Sequence, residues 1–103
     1  MVEYGTEQGT CLGHGLYSSK DIAVQRAFLS NGSIMKKHKH KAKEIIIVYK
    51  GVLTISIDGE DTRINPGELY VVHPGTEHTV SAEGDVWCIG ITIPSEEGYP
   101  DAK

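Results

Sequence analysis

The sequence predicts a single all-β domain, a sandwich or closed barrel built from short strands. Three observations carry that expectation. No window of a dozen residues shows a 3.6-residue apolar period. Twelve glycines and four prolines divide the 103 residues into short segments, as antiparallel domains require. The stretch Val52 to Ile64 is written as a hairpin, with Asp58-Gly59 between two alternating runs.

The elements follow in chain order. Residues 1–21 are expected to form an arm or an edge strand; four glycines fall within the first 15 positions. Ile22 to Leu29 reads as a strand that ends at the turn Ser30-Asn31-Gly32. Glu44 to Tyr49 is rich in β-branched residues and reads as a second, well-buried strand. With Asp58-Gly59 as the turn, Ile57 faces Glu60, Ile55 faces Thr62 and Leu53 faces Ile64, while Ser56 faces Asp61 and Thr54 faces Arg63. That register leaves one face mostly apolar and the other polar. Asn65-Pro66-Gly67 is a turn, Glu68 to Val72 a strand, and His73-Pro74-Gly75 stops it. A short strand is expected from His78 to Ala82, a turn at Glu83-Gly84-Asp85, and a last strand from Val86 to Ile93. The boundaries are therefore an N-terminal segment 1–21, a barrel 22–93 and a polar, turn-rich tail 94–103.

Composition excludes several classes of function. A net charge of −4 argues against general nucleic-acid binding, which needs a basic surface. The longest apolar run, Ile45 to Tyr49, is far too short to cross a bilayer as a helix. The first residues lack the basic and apolar regions of a signal peptide, so a cytoplasmic location is expected. Cys11 and Cys88 are then expected as two free thiols.

Four of the five histidines lie between positions 38 and 78. His38 and His40 on an extended segment share one face, with Cα atoms about 6–7 Å apart, close enough for two imidazoles to meet one ion. Glu44 has the same parity but would lie roughly 13 Å beyond His40 on a straight strand. It reaches the same ion only if the chain bends at Lys41-Ala42-Lys43. His78 comes from elsewhere and follows a Pro-Gly turn. Three nitrogens and a carboxylate suit Fe, Mn, Ni, Co, Cu or Zn rather than Ca or Mg. Alone, a His-x-His among lysines is usually a solvated loop. The combination gives it weight.

These residues resemble the two motifs of the cupin superfamily. Gly32, five residues, His38-Lys39-His40, three residues, Glu44, six residues and Gly51 match the first at every fixed position. Gly67, His73-Pro74-Gly75, two residues and His78 resemble the second, after a 15-residue gap. His73 replaces the usual proline and Ala82 a frequent asparagine; neither position supplies a metal ligand in the family. The resemblance spans about residues 22 to 93. It implies a double-stranded β-helix, the cupin jelly-roll barrel, with His38, His40, Glu44 and His78 around one divalent transition metal.

Function follows as a set of expectations. Open positions on the metal would take water, substrate or O₂. The resemblance brings in dioxygenases, decarboxylases and isomerases acting on small, oxygen-rich, anionic molecules; the alternative is a non-catalytic ligand or metal sensor. His73 and Arg26 are the candidate auxiliary catalytic groups. Arg26 or Gln25, on opposite faces of one strand, must point inward. Five lysines from Lys36 to Lys43 read as a solvated face or as a positive rim that attracts anions. Ile45, Ile47 and Tyr49 would face outward and want cover from a homodimer partner or from the N-terminal arm.

Overall fold

The structure, a computed structural model, describes residues 1–95. Among them are nine strands and no helix: β1 (Val2–Glu3), β2 (Thr6–Gln8), β3 (Cys11–Ser18), β4 (Ala23–Leu29), β5 (Ile34–Met35), β6 (Lys43–Ile57), β7 (Glu60–Ile64), β8 (Leu69–Val72) and β9 (Thr79–Ile93). From residue 96 onward, the expected polar tail lies outside the described residues. The strands pair antiparallel into one curled sheet, the all-β cupin architecture that the motifs imply.

The hairpin has the expected register at all five pairs, from Leu53↔Ile64 to Ile57↔Glu60. Its turn residues Asp58 and Gly59 both have positive φ, 51° and 78°, the backbone that a two-residue type I′ turn needs.

Two expectations change. The stretches read as separate strands, 44–49 and 52–57, are one 15-residue strand, β6, and those around Glu83-Gly84-Asp85 are likewise one strand, β9. The physical reason is a bulge. The β6–β9 register shifts between Val48 and Lys50 and again between Lys50 and Val52. Inward positions on β6 accordingly change from even (Glu44, Ile46, Val48) to odd (Leu53, Ile55). An extra residue bends and twists a strand without ending its pairing. Gly51 allows the bend: its φ is +77°, and a Cβ there would strike the Asp85 carbonyl oxygen and sit 2.9 Å from Val86 Cγ2.

The bend lets the sheet curl onto itself. The first half of β6 joins β8 and the last half of β9, which leads on to β4, β3 and β1. The second half of β6 joins β7 and the first half of β9, which leads on to β5 and β2. Leu53, Ile55 and Val80 from the second half meet Ile46, Val48 and Cys88 from the first in one core. The strands of the first 18 residues pair into the sheet, β1 with β3, β2 with β5, and β3 with β4 from Cys11↔Leu29 to Ser18↔Ala23.

The inner face of the first half is laid out in rows by its register. Ala23, Thr92 and Glu44 form one row; Gln25, Gly90 and Ile46 the next; Ala27, Cys88 and Val48 a third. Gln25, Ala27, Glu44, Ile46, Cys88 and Gly90 of these rows line a cavity.

Candidate metal centre

The site is assembled by backbone hydrogen bonds before any side chain is considered. His38 and His78 are direct cross-strand partners: His38 N–H donates to the His78 carbonyl at 3.0 Å, and His78 N–H to the His38 carbonyl at 2.9 Å. The His40 carbonyl accepts from Gly75 N–H at 2.8 Å. The Pro-Gly turn is therefore tied to the His-x-His segment, which explains why a turn precedes His78. Residues 41 and 42 bend, Ala42 is buried, and Glu44 enters at the start of β6 as the second residue of the strand. The bend required at Lys41-Ala42-Lys43 is present.

The three imidazoles converge. Their centroids are 5.0 Å apart for His38 and His40, 4.3 Å for His38 and His78, and 5.5 Å for His40 and His78. One nitrogen from each lies within 4.8 Å of the other two. A carboxylate oxygen of Glu44, Oε1, lies 3.5 Å from His40 Nε2 and 3.9 Å from His78 Nε2. Two donors each about 2.1 Å from one ion at a tetrahedral angle are roughly 3.4 Å apart, so these separations suit a shared cation.

The hydrogen bonds also settle the tautomers of two rings. His38 Nδ1 lies 2.7 Å from the Lys36 carbonyl, and His78 Nδ1 lies 2.9 Å from the Thr76 carbonyl. A carbonyl only accepts, so each Nδ1 carries the proton, and Nε2 is the nitrogen left to ligate a metal. Outer hydrogen bonds of this kind orient metal-ligating histidines. Burial is the main cause that holds His78 below the ordinary histidine range, and so neutral at neutral pH. Its Nε2 is buried with no hydrogen-bond partner among the described residues. A buried acceptor left unbonded is costly, and a metal ion would satisfy it. The donor set thus fits a divalent transition metal.

The site opens on a cavity of about 490 Å³, walled by the inner rows and by Val2 to Gly5 of the N-terminal segment. Lys36 and Lys39 line it beside His38 and His40. Lys37 instead lies 3.8 Å from Glu77 on the exposed surface. Cys11 and Cys88 are free and buried in the cavity wall. Burial pushes both thiols up to about 12.

Two sequence-derived candidates fall elsewhere. Arg26 is exposed on the outer face of β4, its guanidinium 6.0 Å from the Trp87 ring. Strand alternation sends Gln25 inward instead, where it lines the cavity. His73 is exposed on the turn before Gly75, and the cavity lining does not include it. Neither Arg26 nor His73, the two expected auxiliary groups, lines this cavity. Sequence reasoning missed Tyr4, whose hydroxyl donates to Gln25 Oε1 at 2.7 Å inside the cavity. Nothing in the local pattern around Tyr4 marks it; its place depends on β1 pairing with β3.

Comparison with known proteins agrees with the fold. The cupin domain family model matches residues 27–93. No curated protein matches the sequence. The chain is similar to the solved structure of KdgF from Halomonas sp., with a TM-score of 0.79 and 22% identity over 94% of this chain and 89% of that one. An RmlC-like cupin from Shewanella frigidimarina gives 0.80 and 18% over 94% and 87%. A conserved protein of unknown function from Streptococcus pyogenes gives 0.75 and 22% over 93% and 80%. At these identities the structural likeness establishes the fold. The family model covers well over half of the sequence and includes both histidine segments, so the chain belongs to the cupin domain family.

Proposed function

We propose that the protein is a metal-dependent enzyme. His38, His40, Glu44 and His78 hold one divalent transition metal (Fe, Mn, Ni, Co, Cu or Zn). The substrate is a small molecule that chelates the ion through anionic oxygen. The observation that carries this reading is the convergence of three imidazoles and a carboxylate, of which His38, His40 and Glu44 line a cavity of about 490 Å³. Bound there, the metal supplies Lewis-acid polarisation of a carboxylate or enolate oxygen. The chain's own residues orient the reaction. His38 and His78 are held rigidly through their Nδ1 hydrogen bonds. Lys36 and Lys39 make the approach to the centre positive in an otherwise acidic protein, which favours anions.

A second reading, a non-catalytic binding module, draws support from one observation. Three cavity-lining groups deep in the wall, Tyr4, Cys11 and Cys88, are pushed up by burial. They stay protonated at neutral pH and offer no base. Elemental analysis of untagged protein tests the metal. An O₂-uptake and product screen with small carboxylates and enediols then separates the two readings. Consumption of a compound by the loaded protein identifies an enzyme; saturable binding without product identifies a module. His78→Ala is expected to lose most of the metal, about tenfold or more. Lys39→Ala should retain it, and equal full occupancy in both variants would refute the centre.

The outer sheet face supports a homodimer. Val24, Ile91, Ile45 and Val71 are successive cross-strand neighbours, as are Ile89, Ile47 and Leu69. The N-terminal strands pair with β3 and β5, so their pairing does not carry them over this face. A second copy placing the same face against it buries both. The two free thiols fit a reducing compartment, hence the cytoplasm.

A further inference from the structure

Gln25 is a buried amide in a wall of hydrocarbon and sulfur. It is 5% exposed and lines the cavity with Cys11, Ala27, Ile46, Leu53, Val80 and Cys88. Its Oε1 accepts from the Tyr4 hydroxyl. That bond orients the amide and leaves Nε2, with its two N–H donors, as the other polar end of a side chain that lines the cavity. A polar group in such surroundings is tolerated when something bonds it.

The pair occupies a slot built for it. Gly13 on β3 lies beneath; a Cβ there would strike Gln25 Oε1 and come within 2.7 Å of Tyr4 Cε2. Tyr4 is delivered by the N-terminal segment, where Val2 pairs with Gly13 and Tyr4 N–H donates to the Cys11 carbonyl at 2.9 Å. Gln25 stands two strands across and one row along from Glu44, so the two backbones are roughly 12 Å apart by strand spacing. Around them the lining is mostly hydrocarbon, from Ala27, Leu29, Ile46, Leu53 and Val80, and Gly90 between the two adds no side chain.

From this geometry we infer that Tyr4 and Gln25 form a second recognition point of the cavity, and that its ligand is an amphiphile with an anionic chelating head, a hydrocarbon body and a hydrogen-bond acceptor that meets Gln25 Nε2. The inference rests on the metal-centred reading above and narrows its substrate class. A compact diacid would fill only the head site. A densely hydroxylated body would set its polar groups against hydrocarbon. A cavity of this volume is in the range that takes ligands with a ring or a branched chain.

The test uses the full chain loaded with Co(II) and three kinds of chelating probe: the diacid oxalate, the 2-oxo acid phenylpyruvate, and the derivatives of phenylpyruvate hydroxylated at ring position 3 or 4. Binding is followed through the cobalt spectrum. Wild type should bind phenylpyruvate at least about tenfold tighter than oxalate. It should prefer one hydroxylated acid by about tenfold more. Gln25→Leu should bring that second ratio to about one with cobalt content unchanged, and Tyr4→Phe, which only releases Oε1, should lower it part of the way. Should Gln25→Leu fail to fold, the Tyr4→Phe ratio decides. Oxalate binding as tightly as phenylpyruvate overturns the inference, as does a wild type indifferent to both hydroxyls or a ratio unmoved in the variants. Failure of the wild type to retain cobalt refutes the metal centre itself, a separate result.

Discussion

Cys11 and Cys88 show how position along the cavity wall sets chemistry at single residues. Each is an inward position of a strand and almost fully buried. Desolvation raises both thiols from 9.0 to about 12. The sign of the resulting pH dependence follows directly. The unfolded chain releases these protons from about pH 8.5–9, whereas the native protein keeps them until about 12. Stability is therefore complete below pH 8 and is lost as pH rises through that window. The expected outcome is a urea midpoint that falls from pH 8 to pH 10, with a shallower fall in Cys88→Ala at the same ionic strength. A thiol reagent at pH 8 should label neither cysteine until urea is added; prompt labelling of the native protein would contradict the burial. Gln25 and Arg26 make the same point. They are adjacent in sequence, and one lines the cavity while the other lies over Trp87 on the outside.

At the scale of elements, β6 does most to place the site. Its first residues bring in Glu44, its middle bends, and its end forms the hairpin with β7. The bend depends on Gly51, where positive φ and the nearby Asp85 carbonyl leave no room for a side chain. Gly51→Ala is expected to cost about 2 kcal/mol or more in urea unfolding, because it adds a steric clash to an unfavourable backbone conformation. Gly59→Ala, with positive φ but open surroundings, should cost about 1 kcal/mol. Equal costs would show that the clash at Gly51 is relieved elsewhere. The hairpin itself was legible residue by residue, since alternation and an Asp-Gly turn specify one register. The continuity of β6 was not. A bulge reverses the parity of buried positions, so a sequence reading sees two strands with a glycine between them.

At the scale of the molecule, curling the sheet buries one face and turns the other outward. Leu69 and Tyr49 are 56% and 48% exposed on the strands that present the outer face. If a second copy covers that face, light scattering at micromolar concentration should give twice the 11.2 kDa chain mass. Leu69→Lys with Ile47→Lys should give a monomer that still binds metal. A wild type that stays monomeric at 1 mM would exclude the dimer. By itself the sequence determined the β class, the hairpin register and the two histidine segments, because alternation, turn chemistry and ligand spacing are local properties of the chain. Tertiary structure alone decided that His38 pairs with His78, that Gln25 rather than Arg26 enters the cavity, and that Tyr4 closes on it. Those depend on which strands lie side by side and which way a sheet curls, and such contacts join residues 21 to 40 positions apart. No local pattern encodes them; burial of the whole inner face at once selects them.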